Sequence, residues 1–155
     1  MEPQYITAER FVLTDEEKKK FEEDYELTSD AQKTYVEIIL GIMQKMGIDE
    51  EEATSLTCLN KKVFTNLKRE EKVNSKVDKR IIISIAVGFR LNVHMAEYIL
   101  ESCGQRFNTN DRLDMAYIYL LEKCKGKTIE ECNGVLRDLG IEGRYMLGEL
   151  SYKRT

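Results

Sequence analysis

The chain predicts an all-α protein, and three observations carry that expectation. Apolar residues recur at spacings of three and four over most of its length, the period of a helix that buries one face. A single proline among 155 residues leaves few helix breakers. Ser, Thr, Asp or Asn stands ahead of most periodic stretches and glycine follows several of them, which is how helix starts and stops are punctuated. A composition of 42% hydrophobic and 34% charged residues suits one core with solvated helical faces.

Taken in order, residues 5–7 and 11–13 suit a short extended piece. Thr14 followed by Asp15, Glu16 and Glu17 reads as a cap with acids in the first turn, where the helix dipole favours them. Phe21, Tyr25 and Leu27 are the expected docking side chains of that helix. From Ser29 and Asp30 the pattern changes to Ala31, Tyr35, Ile38, Ile39, Ile42, Met43 and Met46 on one stripe, closed by Gly47. Asp49 caps a helix from Glu50 to Thr57, with Ala53 and Leu56 facing inward. Asn60 caps the next, from Lys61 to Arg69, with Phe64 and Leu67 on its buried side and Lys61, Lys62, Thr65, Asn66 and Lys68 outward.

After a polar loop over 70–77, Asp78 precedes the eleven-residue apolar run 79–89. Its isoleucines suit a strand by propensity. The length of the run, the capping Asp and the lack of a second strand to pair with favour a buried helix. Asn92 opens a helix carrying Val93, Ala96, Ile99 and Leu100 toward Gly104. Another follows Thr109 and Asn110, with Leu113, Ala116, Ile118, Leu120 and Leu121. Thr128 and Glu131 make a capping-box pair for a helix ending at Leu139 and Gly140. Tyr145, Met146, Leu147 and Leu150 support no more than a short docking segment in the tail.

The formal net charge of −4 is unevenly spread. Residues 1–50 hold 6 basic against 13 acidic side chains, residues 51–106 hold 10 against 7, and residues 107–155 hold 8 against 8. Within 60–80 the count is 8 against 3, so positive charge gathers on one short helix and the loop after it, where nucleic acid would meet it. Cys58, Cys103, Cys124 and Cys132 show no Cys-x-x-Cys spacing and His94 is the sole histidine, so no metal site and no cofactor is expected. No nucleophile–base set, glycine-rich phosphate loop or paired carboxylates can be made out, so neither an enzyme nor catalytic residues are expected. No apolar run approaches a membrane span and no secretory layout opens the chain, so a cytoplasmic protein with reduced thiols is expected. Cys103 and Cys132 fall on apolar faces and read as small core residues.

On these residues the chain resembles the Xre family of bacterial and phage regulators, with the lambda-repressor-like helix-turn-helix fold. Thr54 stands at the family's small position, Thr57-Cys58-Leu59-Asn60 at its Thr-Gly-Leu-Ser turn and Phe64 at the apolar position after it. Residues 78–91 are similar to the family's fourth helix, and the stretch beginning at Thr128 is similar to a C-terminal extension of some clostridial members. The resemblance implies a five-helix lambda-repressor-like core with a C-terminal helical extension. Three regions follow from it: an acidic N-terminal arm or helix over 1–30, a helix-turn-helix DNA-binding-like domain over 31–106, and the extension over 107–155. Cys58 replaces the turn glycine, at a place where a positive φ costs a side chain about 1 kcal/mol. Glu50, Glu51 and Glu52 stand where relatives place neutral donors.

What the resemblance implies for function is a sequence-specific transcriptional regulator whose helix over 61–69 lies in the major groove of double-stranded DNA. Lys61, Lys62 and Asn66 would meet base edges with Thr65 close by, Asn60 and Lys76 would lie near phosphates, and Lys68 and Arg69 complete the basic set. A homodimer through the C-terminal helices is the expected assembly. The alternative is a helix-turn-helix scaffold redirected to protein binding, such as a phage or mobile-element inhibitor. Its acidic N-terminal arm would then meet a protein partner by imitating nucleic acid.

Overall fold

The computed structural model describes residues 12–28, 34–67 and 77–149. They form eight α-helices and a closing 3-10 turn, with no strand among the described residues, so the chain is all-α as its periodicity predicts. The helices are α1 Asp15–Thr28, α2 Tyr35–Met46, α3 Glu50–Thr57, α4 Lys61–Leu67, α5 Lys79–Gly88, α6 Val93–Ser102, α7 Arg112–Lys123 and α8 Ile129–Asp138, followed by Gly143–Tyr145. The chain divides into two compact units, residues 1–31 and residues 32–155.

In the first unit, Thr14 and Glu17 close a capping box at the start of α1. The Thr14 N–H donates to Glu17 Oε1 at 2.8 Å and the Glu17 N–H to Thr14 Oγ1 at 3.0 Å. Phe21 and Tyr25, expected to dock, are 63% and 59% exposed. The extended piece expected at 5–7 lies outside the described residues.

The second unit is organised around α5. Ile82, Ile83, Ser84, Ile85, Ala86 and Val87 are all buried, and a helix buried on every side needs neighbours on every side. It has them in α3, α6, α7 and α8. Burying each isoleucine contributes about 2 kcal/mol, so this one helix supplies much of the hydrophobic stabilisation. Ser84 is tolerated because its hydroxyl donates to the Arg80 carbonyl at 2.8 Å and accepts from the Gly148 N–H at 2.9 Å.

The predicted caps at Asp49, Asn60, Asp78, Asn92 and Thr128 each accept a backbone N–H of the following helix. Helix α2 starts later than Ser29 and Asp30 suggest. Thr34 caps it and Glu37 completes a capping box, and Ala31 lies outside the described residues. Met46, assigned to the α2 stripe, is 50% exposed. The stripe ends at Met43, and the buried Ile48 beyond the turn takes the next place.

The C-terminal segment is part of this unit's core. Met146 and Leu147 are buried while Tyr145 is 41% exposed, and Leu150 lies outside the described residues. Asn133 on α8 clamps Leu147 from both sides: its side-chain amide donates to the Leu147 carbonyl at 3.0 Å and accepts the Leu147 N–H at 2.7 Å. Both partners are fully buried, where an unpaired amide would be costly. The pair therefore fixes the register of the tail.

Candidate nucleic-acid interface

Of the residues predicted to meet DNA, Asn60 ends the turn after α3, and Lys61, Lys62, Thr65 and Asn66 lie on α4. Helix α3 has few apolar residues, and the structure uses them differently from the sequence expectation. Ala53 is fully buried as predicted, but Leu56 is 36% exposed and Thr57 is the fully buried neighbour. The expectation that Leu56 faces inward is therefore corrected. Thr57 is accommodated by two hydrogen bonds, its hydroxyl donating to the Ala53 carbonyl at 2.7 Å and accepting from the Leu59 N–H at 3.2 Å. Leu59, in the turn, is fully buried and supplies the apolar anchor.

Cys58 adopts φ 58° and ψ 22°, the left-handed conformation that glycine would take at lower cost. That conformation ends α3, with the Cys58 N–H donating to the Thr54 carbonyl at 2.9 Å. A second support comes from far along the chain: the Cys58 carbonyl accepts the Glu149 N–H at 2.9 Å. The turn thus rests on the C-terminal segment.

Helix α4 is anchored by Phe64, fully buried and stacked on Phe89 with ring centroids 6.3 Å apart, and by buried Leu67. With these fixed, Asn60, Lys61, Lys62 and Asn66 are exposed. Asn60 holds the start of the helix, its Oδ1 accepting the Lys62 N–H at 2.9 Å. Thr65 is half-buried, and its hydroxyl donates to Glu50 Oε1 at 3.1 Å. One of the three acids at the start of α3 is therefore tied to α4, while Glu51 and Glu52 are exposed. A shallow concavity between the two helices is lined by Glu51, Thr54, Ser55 and Lys61, so carboxylate and ammonium share this face. Lys68, Arg69 and Lys76, the other predicted contacts, lie outside the described residues.

Asn60, Lys61, Lys62 and Asn66 are each exposed, Lys61 beside α3 and Asn66 at the edge of a cavity lined by Tyr35, Ile39 and Val77, while Thr65 is half-buried. The Thr65–Glu50 and Cys58–Glu149 bonds each join residues far apart in the chain, so neither leaves a local signal in the sequence. Among the described residues no group of three or more His, Cys, Asp or Glu is placed to hold a metal ion. No described helix is long and apolar enough to cross a membrane.

None of the four cysteines is in a disulfide, and they differ in environment. Cys58 and Cys103 are partly exposed, so Cys103 is not the core residue expected, and Cys124 and Cys132 are buried. Burial first, then the nearby Cys124 and Glu131, push the Cys132 thiol up to about 11. Burial also raises Cys103. A thiol that ionises later in the folded than in the unfolded chain stabilises the fold below the ordinary thiol range, and that stabilisation is lost as pH rises toward 11. Iodoacetamide at pH 8.5 is therefore expected to modify Cys58 fastest and Cys103 more slowly. Cys124 and Cys132 should react only once denaturant is added, as peptide mass mapping will show.

Comparison with protein-family models, curated proteins and solved structures found no match to this chain.

Proposed function

We propose that this protein is a sequence-specific DNA-binding regulator in which α3, its turn and α4 form a lambda-repressor-like helix-turn-helix. The observation that carries this reading is the division of α4. Phe64 and Leu67 are sealed into the core, which leaves Lys61, Lys62 and Asn66 exposed on a helix whose start is capped by Asn60 and whose preceding turn is fixed. Lysine can donate to the guanine O6/N7 edge and Asn can pair with an adenine edge. The short helix and rigid turn suit entry into the major groove. Thr65 positions rather than reads: its hydroxyl is engaged by Glu50, which holds that carboxylate against α4.

The protein-binding alternative has its own support. Glu51 is exposed beside Lys61, and in the other unit α1 is acidic in its first turn with Phe21 exposed. A partner surface of mixed charge would fit that face as well.

Fluorescence anisotropy of labelled genomic duplexes separates the two readings. Log affinity should fall linearly with log salt concentration, by roughly 0.9 per phosphate neutralised. Lys61→Ala combined with Lys62→Ala should weaken specific binding on the order of 100-fold, since each good base contact contributes about 1–3 kcal/mol. Unchanged binding by the double variant would contradict the assignment of α4. Absence of binding even at low salt would favour the protein partner.

A further inference from the structure

At the end of α3, one pair of adjacent residues is arranged against ordinary expectation. Thr57 is fully buried and Leu56 is 36% exposed, although the reverse would remove more apolar surface from water. Leu56 is also held on a stiff base. A Cβ built on Gly88 of α5 would lie 2.7 Å from the Leu56 carbonyl oxygen, so the Leu56 backbone packs directly against α5. The exposed Leu56 side chain lines a groove of about 400 Å³ together with Val87, Gly88 and Gly126, rimmed by Arg90 and Lys127 with Glu130 also at its edge.

The rim is as unusual as the floor. Helices α2, α6 and α8 each end in a glycine at left-handed φ, followed by a backbone bond closing back five residues: Ile48 to Met43, Gln105 to Leu100 and Ile141 to Leu136. Helix α5 ends with the same bond, Leu91 to Ala86 at 2.8 Å, yet the left-handed position holds Arg90 at φ 60°. A side chain there costs about 1 kcal/mol or more relative to glycine, and such cost is retained where the residue has a use. Among the described residues, neither the Arg90 nor the Lys127 side chain makes a hydrogen bond or ion pair. Arg90 and Lys127 stand beside this apolar floor with Glu130 at the same edge and Glu131 close to Lys127, leaving Arg90 as the cation farthest from an acid on this rim.

We propose that this groove docks an extended acidic segment of a partner protein, seating one apolar side chain against Leu56 and Val87. Arg90 and Lys127 meet carboxylates flanking that side chain. DNA would satisfy the two cations but would leave the apolar floor unfilled, so an acidic peptide is the better match. The groove adjoins the α3–α4 face through Ser55 and Cys58 but includes no residue of α4, so the proposal does not depend on how α4 is read.

The test is an amide NMR titration of the full chain. The probe is a pool of capped hexapeptides with Asp or Glu at four positions and Leu, Ile, Phe or Met at the two central ones. The pool should shift the amides of Cys58, Gly88, Gly126 and Lys127 at submillimolar concentration. The matched Asn/Gln pool should bind at least tenfold more weakly. Arg90→Glu with Lys127→Glu should abolish the shifts, and Leu56→Ser should weaken binding at least fivefold with the remaining spectrum unchanged. Absence of groove shifts at millimolar peptide would overturn the proposal. So would equal binding of both pools, or a 16-base-pair duplex shifting the same amides and displacing the peptides.

Discussion

Gly148→Ala is expected to lower the unfolding free energy by about 3 kcal/mol, read from urea denaturation. Two effects combine. Gly148 sits at φ +73°, where a side chain costs about 1–2 kcal/mol. The new Cβ would lie 2.9 Å from Cys58 Cβ and 3.2 Å from the Cys58 carbonyl oxygen, and overpacking of this kind costs about 1–3 kcal/mol. Relief by local movement is limited because the segment is tied on all sides. The Gly148 N–H is held by Ser84, its carbonyl accepts from Arg80, and Leu147 and Glu149 are bonded to Asn133 and Cys58. Gly134→Ala on α8 is the matched control. It meets nothing within 4 Å, and alanine gains up to about 1 kcal/mol in helix propensity, so this variant should be neutral or more stable. Because the damage in Gly148→Ala falls on the turn between α3 and α4, its DNA affinity should drop even where the protein remains folded. Equal stability of the two variants would contradict the role given to the C-terminal segment.

Asp114→Ala is expected to cost about 3 kcal/mol, toward the lower end for breaking a buried ion pair. Asp114 on α7 is 3% exposed. Its Oδ2 accepts from Lys79 Nζ at 2.9 Å and from the Asn108 N–H at 2.7 Å. Lys79 also donates to the Arg106 carbonyl at 2.8 Å and lies 5.8 Å from the centroid of the Phe107 ring. One carboxylate therefore ties the start of α5 to the loop between α6 and α7. Removing it strands a backbone N–H and an ammonium, but the Lys79 side chain keeps 23% of its surface in solvent, which moderates the loss. Lys79→Met combined with Asp114→Leu should recover part of the stability, since an apolar pair avoids the uncompensated charge. Additive losses in the double variant would show that the pair contributes little as a pair.

What could be read from the sequence was what is local. Caps at Asp49, Asn60, Asp78, Asn92 and Thr128 announce themselves within four residues of the bonds they make. The run after Asp78 is long enough to be recognised as a helix surrounded by others. The phase of α3 was not legible: eight residues with Ala53 and Leu56 as the sole aliphatic pair leave too few points to fix which face turns inward. The buried Leu59 then took the place assigned to Leu56. Thr34 is not picked out because the apolar stripe reads from Ala31, before the cap that Thr34 and Glu37 form. For the candidate interface, the outward set on α4 followed from burying Phe64 and Leu67. The bonds from Thr65 to Glu50 and from Cys58 to Glu149 could not follow from spacing, since tertiary packing alone brings those residues together. Arg90 was missed for a different reason, because its left-handed conformation belongs to a position where glycine is the residue that gives the signal.

The most direct test of DNA recognition by α4 is binding-site selection from a randomised duplex library at physiological salt, followed by sequencing. A regulator that reads bases through Lys61, Lys62 and Asn66 should enrich one motif, with two inverted half-sites about one helical turn apart if it acts as a two-fold dimer. The same selection with Lys61→Ala and Lys62→Ala should lose that motif. Recovery of unenriched sequence by the wild-type chain, or an identical motif from the double variant, would contradict recognition of DNA by this helix.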